Sequence, residues 1–159
     1  MNADLSIRKM LRTDLSAVTV IDQRLFGKER FPTWPFSFEV YWREYSPDIS
    51  LVADTGDHLA GFIVGCVVVE EHSRSVLNLR RSEKPRPVSR VGWIDMIGVL
   101  PDSQHSGVGR RLVESFCSEC ESMGIPVRAV TTEHDARLRR FLDSIGFKVR
   151  EFMIYERNP

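Results

Sequence analysis

The sequence predicts a mixed α/β (α+β) fold, and three observations carry the prediction. Apolar residues recur at helical spacing in four windows, and they alternate or cluster at strand length in six others. The elements read in the order β-α-α-β-β-β-α-β-α-β. The first half is hairpin-like, while helices and strands alternate in the second half, which implies parallel pairing there.

The elements follow in turn. Leu5 to Leu11 begins by alternating apolar and polar residues, as a half-buried strand does. Thr13 or Asp14 can cap a helix carrying Leu15, Val18, Ile21 and Leu25, which Gly27 ends after Phe26. Phe31-Pro32-Thr33-Trp34-Pro35-Phe36 is too rich in proline for regular structure and reads as an aromatic loop. Ser37 caps a short second helix with Val40, Tyr41 and Tyr45 on its apolar side, stopped by Pro47. Ile49–Ala53 and Leu59–Val69 read as strands of a hairpin around Asp54-Thr55-Gly56-Asp57. From Glu70 to Arg90 the chain is polar and reads as a long exposed loop. Trp93 to Leu100 is a strand stopped by Pro101. Leu112, Val113, Phe116 and Cys120 stripe a helix from near Gly107 to before Gly124. A strand over Pro126–Thr132 follows, then a helix striped by Leu138, Phe141, Leu142 and Ile145 and ended by Gly146. Phe147 to Tyr155 alternates as a last strand.

Composition narrows the classes. At 159 residues the chain is the size of one domain, 1–159, with enough length for a core. Twenty-two basic residues balance 22 acidic ones, against a nucleic-acid binder working by bulk charge. No apolar run approaches the roughly 20 residues of a membrane span, and the first ten residues do not resemble a signal peptide. Three cysteines make no disulfide framework, so the expectation is a soluble cytoplasmic protein. Cys117-x-x-Cys120 lies inside a helix, away from the end that activates thiols. His58, His72, His105 and His134 show no metal-ligand spacing, so no metal site is expected.

Chemistry concentrates in Val99-Leu100-Pro101-Asp102-Ser103-Gln104-His105-Ser106-Gly107-Val108-Gly109-Arg110-Arg111-Leu112. Here a strand passes through a loop with two glycines directly into a helix. Glycine permits positive φ and close backbone approach. The first-turn amides of a helix lack intrahelical acceptors and sit at the positive end of its dipole, so such a turn cradles phosphate. A nucleotide-triphosphate loop would end in Gly-Lys-Ser/Thr, and a dinucleotide fingerprint would have glycine where Leu112 stands. Neither is present.

Gln104-x-x-Gly107-x-Gly109, after Val99-x-Pro101, resembles the coenzyme A loop of the GNAT N-acetyltransferase superfamily. The element order and the Phe141–Phe147 ending agree with that family over nearly the whole chain. The resemblance implies a mixed, mostly antiparallel sheet of six to seven strands flanked by about four helices and split between strands four and five. It implies acetyl-CoA as co-substrate and an amine acceptor, on a small molecule or on a protein N-terminus or lysine, attacking the thioester directly in a ternary complex. A homodimer is compatible with it, and neither nucleic acid nor membrane is an expected partner.

By the same resemblance, the diphosphate rests on the loop amides of Gln104, His105, Ser106, Gly107, Val108, Gly109 and Arg110. The pantetheine arm pairs with the fourth strand near Ile97, Gly98 and Val99, where a bulge splays it from the next strand. Asp135 stands where the family has an asparagine, and Leu142 where it has the tyrosine that protonates the leaving thiolate. The first departure sets a negative charge near the cofactor; the second leaves the acid unassigned. As base the favoured residue is Asp95, taken by strict alternation to share a face with Trp93, Ile97 and Val99. That carboxylate can equally hold the substrate ammonium or pair with an arginine. Glu133 is the second candidate, and Tyr45 and Tyr155 are further proton donors to consider. Phe31, Trp34, Phe36 and Trp93 are candidate acceptor-pocket walls. The competing reading is an acyl-CoA-binding sensor with weak or no catalysis.

Overall fold

The computed structural model describes residues 5–27, 36–70, 89–131 and 135–149. Strands β1 (Ser6–Lys9), β2 (Ile49–Asp54), β3 (Leu59–Glu70), β4 (Ser89–Val99) and β5 (Val127–Ala129) form one sheet in chain order. Neighbours from β1 to β4 are antiparallel, and β5 joins β4 in parallel. The described sheet therefore has five strands rather than six or seven. At the sixth predicted strand, residues 147–149 are not in a strand, and 150–155 lie outside the described residues. β4 begins at Ser89, earlier than the Trp93 expected, because Ser89 to Gly92 extend the ladder with β3. β5 is shorter than the Pro126–Thr132 expected. Residues 71–88 of the expected polar loop lie outside the described residues.

Four helices flank the sheet: α1 (Leu15–Phe26), α2 (Phe38–Tyr45), α3 (Val108–Ser122) and α4 (Ala136–Ser144). The capping signals act locally. Ser37 accepts the Val40 amide at 3.3 Å, and Gly27 closes α1 on the Gln23 carbonyl. Asp14 behaves differently from the cap expected. It ends a short 3-10 turn, and its carboxylate takes the Leu11 amide and the Arg8 guanidinium instead. Asp22 is fully buried on α1 and accepts the Phe38 amide at 3.0 Å, which fixes the start of α2 against α1.

Two cores sandwich the sheet. On one face Leu112, Val113, Phe116 and Cys120 of α3 pack on Leu51, Ala53, Ile63 and Ile94. On the other, Val18 and Ile21 of α1 and Phe38 and Tyr41 of α2 pack on Val52, Phe62, Val64 and Met96. Cys120 is core, as its place in the apolar stripe implies. Among the described residues, no helix is long and apolar enough to cross a membrane.

Candidate active site

The sheet opens where β5 stops. β5 pairs with β4 only through Gly92, Trp93 and Ile94, so among the described residues β4 continues from Asp95 to Val99 without a strand on that side. A cleft of about 890 Å³ lies there, bounded by β4, the end of β5, the start of α3, and α4. Leu100 donates to Ala60 on the β3 side. Alternation then turns the backbone groups of Gly98 and Met96 toward β3, and those of Ile97 and Val99 into the gap. The Val99 carbonyl is already taken by Gln104 Nε2 at 2.8 Å. Among the described residues, the Ile97 amide and carbonyl and the Val99 amide remain for an extended ligand.

A bulge lies at the point of divergence. Val64 faces Met96 and Gly65 faces Ile94, so Asp95 is the extra residue of β4. Gly65 permits it, since a Cβ there would sit 1.9 Å from the Trp93 carbonyl oxygen and 2.7 Å from the Phe116 ring. The bulge also corrects the expected facing. Asp95 shares the α1/α2 face with Trp93, but Ile97 and Val99 pack against the α3 core. Strict alternation fails because the inserted residue shifts the pleat by one step.

Asp95 is half-buried and reached by neutral donors. The Tyr41 hydroxyl donates to its Oδ2 at 2.7 Å, and the Cys66 thiol is also bonded to it. Burial pushes the Asp95 carboxyl above the usual carboxylate range, against the opposing pull of those two bonds. Burial and the neighbouring Asp95 charge raise the Tyr41 phenol, and burial raises the Cys66 thiol. No described basic side chain forms an ion pair with Asp95.

At the other end, the loop before α3 turns through left-handed conformations at His105 (φ 63°) and Gly107 (φ 87°). The Gln104 amide is held by Pro101 and that of Arg111 by Gly107. Between them, the amides from His105 to Arg110 meet no backbone acceptor among the described residues. Gln104 Oε1 accepts from Arg137, which ties the loop to the first turn of α4. Arg110, Arg137 and Arg140 line the cleft and make this end cationic.

Of the expected cofactor residues, Ile97, Gly98, Val99, Gln104, His105, Gly107, Gly109, Arg110 and Asp135 line the cleft. Ser106 does not; its hydroxyl donates to the Ser103 carbonyl at 2.6 Å. Val108 is buried in the α3 core, so only its backbone is in play. Asp135 caps α4 by accepting the Leu138 amide at 2.9 Å, which occupies one of its oxygens. Trp93 is outside the cleft lining, with Arg128 over its ring at 5.7 Å. Phe36 also lies outside it and packs on Tyr45, at the exposed end of α2. Phe31, Trp34, Glu133 and Tyr155 lie outside the described residues. Leu142 is buried and lines the cleft.

Tyr41, Arg137 and Arg140 were not singled out from the sequence as site residues. A tyrosine on a buried helix stripe needs a partner for its hydroxyl, and arginines early in a helix oppose its dipole. Those were the available signals.

A sequence profile of the acetyltransferase (GNAT) family matches residues 20–147. The chain belongs to that family. GNAT members are acyltransferases with acetyl-CoA as co-substrate, and the free β4 edge and bared α3 amides suit that ligand's amide-bearing arm and diphosphate. Among solved structures, the fold is shared with AAC(6')-Iy in complex with a CoA bisubstrate analogue (19% identity, TM-score 0.70, covering 98% of each chain). It is shared with a Trypanosoma brucei acetyltransferase (18%, TM-score 0.68, covering 98% of this chain and 100% of that one). A transcriptional regulator from Bacillus halodurans C-125 is likewise similar (17%, TM-score 0.71, covering 97% and 99%). Among curated proteins none matches.

Proposed function

We propose that residues 1–159 act as one catalytic domain that moves the acetyl group of acetyl-CoA onto a cationic primary amine by direct attack in a ternary complex. The observation that carries this reading is the parting of β4 and β5 at Asp95, which sets a cationic phosphate cradle and a carboxylate with no ion-pair partner among the described residues along one cleft. Acetyl-CoA supplies an activated thioester; the protein's part is mainly to position two reactants. The amides from His105 to Arg110 hold the diphosphate, with Arg110, Arg137 and Arg140 adding charge. Ile97 and Val99 pair with the extended arm, and an amide of this strand faces the developing oxyanion. Asp95 receives the ammonium and takes its proton, an assignment its surroundings favour: it is desolvated and has no cation of its own among the described residues.

The aminoglycoside acetyltransferases among the similar folds make aminoglycosides, with polyamines and peptide N-termini, the first acceptors to assay. Calorimetry with CoA, followed by thiol release from acetyl-CoA across such an amine panel, tests the proposal. Binding with release on at least one amine supports it, and no heat on adding CoA overturns it. Leu142 supports a second reading, a sensor of acyl-CoA, because a buried leucine supplies no proton to a leaving thiolate. Tight CoA binding without release on any amine would favour the sensor.

A further inference from the structure

We propose that Tyr41 is a positioning residue for Asp95: its hydroxyl clasps one carboxylate oxygen and fixes the carboxylate in the cleft where the acceptor amine would arrive. The inference rests on the reading of Asp95 as base. It starts from geometry. Tyr41 is fully buried on α2, 54 residues from Asp95 in sequence, and its Oη lies 2.7 Å from Asp95 Oδ2. The bulge points Asp95 at α2, away from the α3 face where Ile97 packs. A carboxylate on a bulged strand turns freely about its side-chain bonds unless something holds it; a short hydrogen bond from a packed phenol does so.

The ring has its own anchors. Tyr41 stacks on Tyr45 at 5.5 Å between centroids, and Tyr45 meets Phe36 at 6.0 Å. Tyr45 and Phe36 continue this packing toward the exposed end of α2. A hydrogen bond to the ionised form keeps the carboxylate usable as base at lower pH than burial alone would permit.

Among the described residues, the groups facing Asp95 come from α2 and β3. α2 brings Tyr41, with Tyr45 behind it. β3 brings Cys66, whose hydroxyl partner is Tyr41 at 3.6 Å and which Asp48 influences in turn. α1 brings Asp22 to the same cleft, held by the Phe38 amide.

The test is Tyr41→Phe, which keeps the ring and its stacking and removes the hydroxyl. Two readouts apply. The first is a 13C-carboxyl NMR titration of Asp95 in ligand-free protein, where the midpoint should move to higher pH. The second is the pH profile of kcat/KM with acetyl-CoA and the most reactive amine of the panel. Its acid limb should move the same way, with a loss of roughly tenfold on that limb, the scale of a hydrogen bond to a charged group, and recovery at higher pH. CoA affinity should be unchanged, which also certifies the fold. A lower rate with neither midpoint moved would make Tyr41 merely structural and overturn the inference. If Asp95→Asn keeps the full rate, the base assignment fails instead, and the two failures are told apart.

Discussion

Two aspartates in this protein have opposite surroundings. Asp14 takes two bonds from Arg8, at 2.7 and 3.0 Å, and one from the Leu11 amide at 2.7 Å. The Arg8 guanidinium, which also holds Asp54, keeps the Asp14 carboxyl below the usual range despite its burial. Asp95 has a phenol and a thiol for company, and burial pushes its carboxyl up. A carboxylate already matched to a cation is committed to the fold. One given only neutral donors among the described residues is left to meet a cation that arrives from outside. On this proposal, surroundings rather than sequence position set Asp14, held in the fold, apart from Asp95, the proposed base.

The largest expected effect bears on the reactive side. Asp95→Asn should lower turnover by about 10²- to 10⁴-fold, the usual worth of a positioned base. Calorimetry should find its CoA affinity within about twofold of the parent, since the cradle is at the other end of the cleft. Retained turnover would place Asp95 with Asp14 as a residue of the fold.

Gly107→Val tests the cradle itself. A Cβ would meet nothing within 4 Å, so any harm comes from the backbone at φ 87° rather than from a clash. A side chain there costs about 1–2 kcal/mol, more for a β-branched one. The loop should relax away from the geometry that aligns its amides. CoA affinity should fall by roughly tenfold, read as a smaller CoA-induced rise in Tm. An unchanged rise would mean that the diphosphate sits elsewhere.

How much of this was readable follows the same divide. The cradle is made of backbone, and backbone geometry leaves glycine at fixed spacing between a strand and a helix. Gly107 and Gly109 could therefore be found from the chain alone. The helix caps at Ser37 and Gly27 were legible for the same local reason. The proposed acceptor end is made of side chains that meet across the fold. Nothing near Tyr41 announces a partner 54 residues away. The facing of Asp95 relative to Ile97 departs from simple alternation because alternation assumes an unbroken pleat. The trace of the break, Gly65 within a long apolar strand, lies on the neighbouring strand instead.

On the structural side, Asp14→Asn should cost about 1–2 kcal/mol, the worth of bonds to a charged group in part compensated by Arg8 keeping Asp54. Solvent at the partly exposed Arg8 holds the loss to that scale. The folded carboxyl of Asp14 titrates below its unfolded value of about 3.9. Its stabilisation is therefore present above that pH and disappears as pH falls through the folded value. Parent and variant should converge in strong acid while differing at neutral pH, as urea titrations at several pH values would show. Turnover per folded molecule should not change.

The smallest effect is the sharpest, because the comparison predicts opposite signs. The folded carboxyl of Asp95 titrates above its unfolded value. Its contribution to stability is complete below about pH 3.9, the unfolded value, and is lost as pH rises through the folded one. Above the folded value the protein therefore holds a poorly solvated charge that folding does not favour. Asparagine has nearly the same shape, still accepts the Tyr41 hydroxyl, and carries no charge to desolvate. Asp95→Asn should thus melt higher than the parent at pH 7, and the gap should close as pH falls toward about 4. Asp14→Asn should melt lower at pH 7. A variant of Asp95 less stable than the parent at every pH would show that this carboxylate, too, supports the fold, and the distinction between the two would be gone.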